Sequence, residues 1–236
     1  SIKGDIWDNP NVFEIQIICG RIPLLIFSFF IFSCIKINLF IVLSLMVSKK
    51  IYFFIDKIDE INLDQVKKTG AILILRRPKN ISYKNLKKFA VNCKNKRIDL
   101  FVANSVKYLS LLKTNGFYIS AWNKKYYKSL RKFNSNIEIV GSAHNIMEIN
   151  EKINQGCSQI FLSRIFETKY RLKKGFLGVI KFNLITRMFR TNFIALGGIN
   201  IKNFNQIKNL NILGFAMSSD KKKAGNYLPA FFKKTY

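Results

Sequence analysis

The chain has 236 residues, with 40 lysines and arginines against 13 acids, giving a formal net charge of +27. That length suits one barrel-sized domain, and an apolar share of 49% allows a sizeable core and excludes a wholly disordered chain. The charge suits anionic substrates by steering. Lysine is nevertheless scattered among Asn, Ile and Phe along the whole chain, so the excess reads as drift towards A- and T-rich codons, and nucleic acid is not the expected partner.

Residues 1–20 show no clear period, whereas residues 22–47 are strongly apolar and long enough for a membrane span. Lys36 falls near the middle of that run, where a charge costs about 2.5–3.5 kcal/mol. Lys49 and Lys50 follow and would keep that end in the cytoplasm, and no small-residue cleavage site marks a signal peptide. Two readings stay open. In one, Met46 is the natural start, the preceding residues are translated upstream sequence, and the protein is cytoplasmic. In the other, 22–47 is an anchor in contact with a membrane and the remainder faces the cytoplasm. Either way the chain divides into an extension, 1–48, and a domain, 49–236.

From residue 51 a regular alternation begins. Strands are expected at 51–55, 71–75, 99–103, 116–119, 137–140, 158–162, 193–196 and 212–217. Helical patterns at 63–68, 83–93, 106–113, 124–132, 146–154 and 177–187 separate them, and Asn200 opens another. Runs that are apolar on both faces indicate parallel strands covered by helices. Eight such units predict an α/β fold of the (β/α)8 TIM-barrel kind, preceded by a hydrophobic segment outside the barrel. A doubly wound open sheet is the alternative, but no glycine fingerprint follows the first strand. The cysteines, Cys19, Cys34, Cys93 and Cys157, have neither metal-ligand nor redox spacing and fit a reducing compartment.

In such a barrel the chemistry gathers at the C-terminal ends of the strands. The residues expected there form a cationic, hydroxyl-rich rim. Gly197 and Gly198 end the seventh strand, and Ser218 and Ser219 end the eighth, together making a phosphate cradle. Arg76 and Arg77, with Lys79, follow the second strand and suit bidentate recognition of a phosphate or diphosphate. Thr168 and Lys169 lie in a long loop that would close positive charge over a phosphate. Asn104 and Ser142 complete the substrate-facing set. His144, the sole histidine, ends the small-residue run Gly141-Ser142-Ala143-His144 and is the candidate for proton transfer, since an imidazole's ordinary pKa of about 6.5 permits both states near neutrality. Carboxylates are scarce on this rim, with only Asp56 and Glu167, so no resident metal is expected.

Four stretches occur in a familiar order: Gly141-Ser-Ala-His144, residues 156–168, Ile194-Ala-Leu-Gly-Gly-Ile199 and Gly214-Phe-Ala-Met-Ser-Ser219. On these, the chain from about residue 50 to 219 resembles the thiamine phosphate synthase and TenI family of barrels. The resemblance implies that Gly198, Ser218 and Ser219 hold a thiazole phosphate, that Thr168 and Lys169 reach a phosphate or diphosphate, and that Asn104 matches the Asn of the family's Asn-Asp pair. It also exposes departures. The Asp of that pair is Ser105, the second metal-binding Asp falls on Asn123, the His ending the fourth strand is Tyr118, and the Pro of the sixth-strand loop is Arg164. A synthase joins hydroxymethylpyrimidine diphosphate to thiazole phosphate with magnesium, whereas the tautomerase branch needs a proton-transferring histidine and no metal. The expectation is therefore a metal-independent thiazole tautomerase using His144. The alternatives are a synthase, with magnesium, and a non-catalytic precursor-binding protein.

Overall fold

The computed structural model describes residues 49–59, 61–168, 175–200 and 202–218, with Phe133 and Ser218 described by backbone alone. The extension 1–48, the expected lid lysine Lys169 and the cradle serine Ser219 lie outside the described residues. Eight parallel strands form a closed barrel in chain order: β1 (Lys50–Ile55), β2 (Ile72–Leu75), β3 (Leu100–Ala103), β4 (Gly116–Ile119), β5 (Glu138–Ala143), β6 (Gln159–Ser163), β7 (Asn192–Leu196) and β8 (Gly214–Ser218). The helices between them are α1 (Leu63–Thr69), α2 (Tyr83–Asn95), α3 (Val106–Leu112), α4 (Leu130–Phe133), α5 (Ile146–Asn154), α6 (Gly178–Arg187) and α7 (Asn205–Lys208), with a 3₁₀ turn at Pro78–Asn80. The ring closes where β1 pairs with β8, Lys50 opposite Gly214 and Phe54 opposite Ser218.

Side chains alternate across each strand, so the sheet separates two cores. Tyr52, Phe54, Ile74, Phe101, Tyr118, Phe161 and Ile194 fill the barrel interior. Phe161 is its hub, edge-on to Tyr52 at 5.1 Å, Phe54 at 5.4 Å and Tyr118 at 5.8 Å between ring centres. Gly116 is required by this filling, because a Cβ there would lie 1.8 Å from the Phe101 ring. The alternate residues, among them Phe53, Leu73, Phe117 and Leu162, face the helices and meet Leu86, Phe89, Ile149 and Phe182. Each such aromatic or branched chain gains about 1.5–3 kcal/mol by leaving water.

The N-terminal end of the barrel is plugged by polar bonds. Tyr52 donates its hydroxyl to Gln159 Oε1 at 2.9 Å, Gln159 Nε2 donates to the Glu138 carboxylate, and Lys50 lies 3.7 Å from Glu138. Burial pushes the Tyr52 phenol well above its ordinary range. The opposite end carries the site.

Helix starts follow local chemistry. Asn62, Ser82, Ser105 and Asn145 each accept a backbone N–H with the side chain at the N-cap. At α5 the cap is reciprocal, because Glu148 accepts the His144 backbone N–H at 2.8 Å. Two expected helices are corrected. The 124–132 pattern yields only the single turn α4, since Asn123 turns the chain through its own side chain, accepting Lys125 N–H at 3.0 Å. The helix expected from Asn200 begins at Asn205 and is also one turn long, because Asn200 and Asn203 spend their side chains on an Asx-type link. The fifth strand runs on through Ala143, so Gly141 and Ser142 belong to the sheet.

Candidate active site

The C-terminal strand ends carry four small clusters. The first spans β4, β5 and β6. Tyr118, next to the last residue of β4 and inside the barrel, donates its hydroxyl to Ser142 Oγ on β5 at 2.9 Å, and both are buried. Burial raises the Tyr118 phenol above its ordinary range, and the Ser142 bond and the nearby Arg76 charge only partly offset this. His144 stands exposed one residue beyond β5. Its Nδ1 lies 2.7 Å from Ser163 Oγ and 3.3 Å from the Ser163 carbonyl, at the end of β6. Ser163 pairs in register with Leu196 of β7, immediately before the glycines.

The second cluster is Gly197 and Gly198, with φ of +101° and +71°. Only glycine holds such angles without strain. The space beside them is filled by the chain's own β6–α6 link: a Cβ on Gly198 would lie 2.3 Å from Glu167 O, and one on Gly197 would lie 2.9 Å from the Arg164 side chain. Phe166 N–H donates to Gly197 O at 3.1 Å, and Asn203 Nδ2 donates to Gly198 O at 2.8 Å. The glycines therefore admit a neighbouring backbone first, and the one-turn α7 brings no helix dipole to them. Arg164 Nη1 donates to Thr168 Oγ1 at 2.8 Å, tying that threonine to the same link. Ser218 ends β8 beside this tip.

The third cluster is Arg76, Arg77 and Asp56. Arg76 grips Asp56 with two parallel bonds, Nε to Oδ1 at 3.0 Å and Nη2 to Oδ2 at 2.5 Å, and its guanidinium lies 5.8 Å from the Phe54 ring centre. Arg77 is 70% exposed and 3.9 Å from Asp56. The paired arginines thus carry one carboxylate between them.

The fourth cluster was not foreseen as a unit. Asn104 holds a left-handed backbone, φ +58°. Its side chain donates to Ser120 Oγ at 2.7 Å and accepts from Ser120 N–H at 2.9 Å and Asn123 Nδ2 at 3.0 Å. Asn123, buried, also donates to the Tyr127 hydroxyl at 3.0 Å. Beneath this loop lies Lys152, fully buried. Its ammonium donates to Ser120 O at 2.9 Å, Asn123 O at 2.8 Å and Gln155 Oε1 at 2.9 Å. Burial lowers its pKa. A signal did exist for it, since Lys152 is three residues after the fully buried Ile149 on the inward face of α5.

A divalent cation does not fit these residues. Ser105 Oγ is occupied as the cap of α3, Asn123 is neutral and bonded at both ends of its amide, and Asp56 is bound by arginine. Among the described residues no group of three His, Cys, Asp or Glu converges, whereas magnesium wants charged oxygen ligands. Also among the described residues, no helix is long and apolar enough to cross a membrane; the run 22–47 lies outside them.

The family model described as "Thiamine monophosphate synthase" matches residues 51–220. A "Thiamine-phosphate synthase" of Prochlorococcus marinus subsp. pastoris is 33% identical over 93 residues, 39% of this chain and 26% of the relative. A second, from another Prochlorococcus marinus strain, is 34% identical over 86 residues, 36% of this chain and 25% of the relative. The chain thus spans about a quarter of the length of these curated relatives. Among solved structures, a thiamine phosphate pyrophosphorylase from Pyrococcus furiosus superposes with a TM-score of 0.60 at 18% identity, over 80% of this chain and 98% of that one. A phosphoribosyl anthranilate isomerase from Thermotoga maritima gives 0.58 at 14% identity, over 78% and 97%. At these identities the structures speak for the fold alone.

Proposed function

Because the chain belongs to the thiamine monophosphate synthase family, we propose that it binds a thiazole phosphate at the C-terminal mouth of its barrel and acts there as a metal-independent tautomerase. The observation that carries this reading is His144 Nδ1 held 2.7 Å from Ser163 Oγ, on the strand end next to Gly197 and Gly198. The phosphate would lie at the tips of β7 and β8, against Gly198, Ser218, Ser219 and Thr168, with Lys169 reaching over it. His144 would face the ring.

Tautomerisation needs one proton removed from the ring system and one returned at another atom, with no leaving group. The geometry around Nδ1 suits both halves. When Nδ1–H donates to the Ser163 carbonyl, Nε2 keeps its lone pair and can accept the proton. When the Ser163 hydroxyl donates to Nδ1, the proton sits on Nε2 and can be given back. Tyr118 and Ser142 form a neutral, buried floor below the imidazole's strand. No step requires a cation, which agrees with the neutral Ser105 and Asn123.

The curated relatives favour a second reading, since both are named as synthases. In that case hydroxymethylpyrimidine diphosphate is the partner substrate. The departing diphosphate would then have to be neutralised by Arg76, Arg77 and Lys79.

Two assays on the full chain separate the readings. The first follows, by absorbance, aromatisation of the non-aromatic thiazole phosphate carboxylate. His144→Ala should slow it by at least about 100-fold; equal rates in both proteins would remove the role of His144. The second offers both synthase substrates with and without a chelator. Thiamine phosphate formed in either condition would establish the synthase reading. Tight binding without turnover in both assays would leave a precursor-binding protein.

A further inference from the structure

Helix α6 carries a pattern that the barrel does not use. Its inward face is spent on the core, through Phe182 and Ile185. Its outward face repeats apolar residues every four positions: Ile180, Leu184 and Met188 are 80%, 60% and 63% exposed. Four residues make slightly more than one helical turn, so the three form a single stripe. Lys181 and Arg187 flank the stripe and are themselves exposed, as is Arg190 just beyond it. Isolated exposed apolar residues are ordinary, but a continuous stripe on a helix that is already packed is not.

The charge around it is one-sided. From residue 168 to residue 219 the sequence contains no Asp or Glu and nine Lys or Arg. This span comprises the link before α6, α6 itself, β7, α7 and β8. A second copy of the chain brought against this face would set cation against cation. An apolar stripe edged by Lys and Arg matches the boundary of an anionic bilayer, where acyl chains take the stripe and headgroups take the charges.

We propose that the outer face of α6 is a membrane-docking surface that lays the barrel against an anionic lipid bilayer. This is separate from the mouth, because α6 flanks the barrel wall while the mouth opens at the strand ends. Each Lys or Arg near an anionic surface contributes about fivefold to partitioning, so Lys181, Arg187 and Arg190 together account for about 100-fold between anionic and neutral lipid.

The test places a nitroxide at Leu184→Cys in the full chain, with Cys19 and Cys34 replaced by serine; the remaining cysteines, Cys93 and Cys157, are buried. A second protein carries the label at Lys87→Cys on α2, four strands away around the ring. Collision rates with a water-soluble nickel complex and with dissolved oxygen are read by power saturation. Vesicles are equimolar phosphatidylglycerol and phosphatidylcholine, or phosphatidylcholine alone. With anionic vesicles the label at 184 should lose nickel access and gain oxygen access, while the label at 87 stays in water. Neutral vesicles, or Lys181→Glu with Arg187→Glu, should abolish the change. Two results would overturn the proposal. One is equal behaviour in both lipids, which would leave any membrane contact to residues 22–47. The other is a label at 184 already shielded from both agents without vesicles, which would mean that the chain's own apolar segment or a second copy covers the stripe. A label at Ile180→Cys repeats the reading should the first variant fold poorly.

Discussion

The Lys152 ammonium lies 2.8 Å from the Asn123 backbone carbonyl, fully buried beneath the loop that follows β4. Its neighbours in hydrogen bonding are neutral oxygens, so its charge is desolvated without a carboxylate in contact. Lys152→Met removes a costly buried charge but orphans Ser120 O and Gln155 Oε1. Each orphaned acceptor costs about 1–3 kcal/mol, and the net change should be a loss of stability of about 1–3 kcal/mol in urea unfolding. Adding Gln155→Leu removes the Gln155 Oε1 orphan but also the Gln155 Nε2 donor to Asn123 O at 2.8 Å, so one orphaned acceptor replaces another and the double variant should be no more stable than Lys152→Met alone.

Ser163 should matter through the imidazole. Ser163→Ala leaves His144 with the 3.3 Å carbonyl contact alone. One neutral hydrogen bond is worth about 0.5–1.5 kcal/mol, so the tautomerisation kcat should fall about three- to tenfold. KM should stay within twofold or so, because the proposed phosphate contacts do not include Ser163. A change confined to KM would put Ser163 among the binding residues instead.

The grip of Arg76 on Asp56 competes with any anion at the mouth. Asp56→Asn removes the competing charge while keeping the side-chain shape. For a pair this exposed the interaction is worth at most about 1 kcal/mol, so pyrophosphate affinity, measured by calorimetry, should rise about two- to fivefold. Arg76→Ala should lower it.

High pH should unfold the chain through buried neutral acids. Burial pushes the Cys93 and Cys157 thiols from 9.0 up to about 12 and raises the Tyr118 phenol. The unfolded chain therefore releases the two thiol protons from about pH 9 upward while the folded chain keeps them to about 12, and stability falls across that window, with the raised Tyr118 phenol acting in the same direction. The slope is about 1.4 kcal/mol per pH unit for each group. Lys152 works the other way, because its lowered folded pKa means that the unfolded chain holds the extra proton. Cys93→Ala with Cys157→Ala should flatten the decline in urea midpoints between pH 9 and 11.

Gly198→Ala should be the worse of the two glycine substitutions. Its Cβ meets a backbone oxygen at 2.3 Å, whereas that of Gly197 meets Arg164 Cβ and Cγ at 2.9 Å and the Arg164 Cα at 3.0 Å. A left-handed alanine alone costs about 1–2 kcal/mol and both sites add a clash, so each variant should lose more than about 2 kcal/mol by urea midpoint, with the greater loss for Gly198→Ala.

The barrel was legible because each strand is apolar on both faces and each helix on one, and the count of eight such units with no glycine fingerprint after the first strand favoured a closed ring over an open sheet. The position of His144 was legible for the same reason, since residues just after a strand must sit at its C-terminal end. The one-turn helices α4 and α7 were not, because Asn123, Asn200 and Asn203 redirect the backbone with side-chain bonds that periodicity ignores. Ser163 was not legible as strand, because it is polar and the apolar run that marks β6 ends at Leu162. The Arg76–Asp56 grip joins the ends of different strands, a relation that no local spacing encodes. The glycines follow the end of β7, and the body pressed against them is the β6–α6 link, a contact that no local pattern encodes.

Closure through β1 and β8 has a consequence for how the protein is made. Lys50 finds its partner only in Gly214, some 160 positions later on the ribosome. At about 5–20 residues per second, the first strand waits on the order of ten to thirty seconds with one bonding edge open. The nascent chain thus spends that interval as an unsealed sheet, and the demand for a chaperone should be set by translation speed across this stretch rather than by the stability of the finished ring.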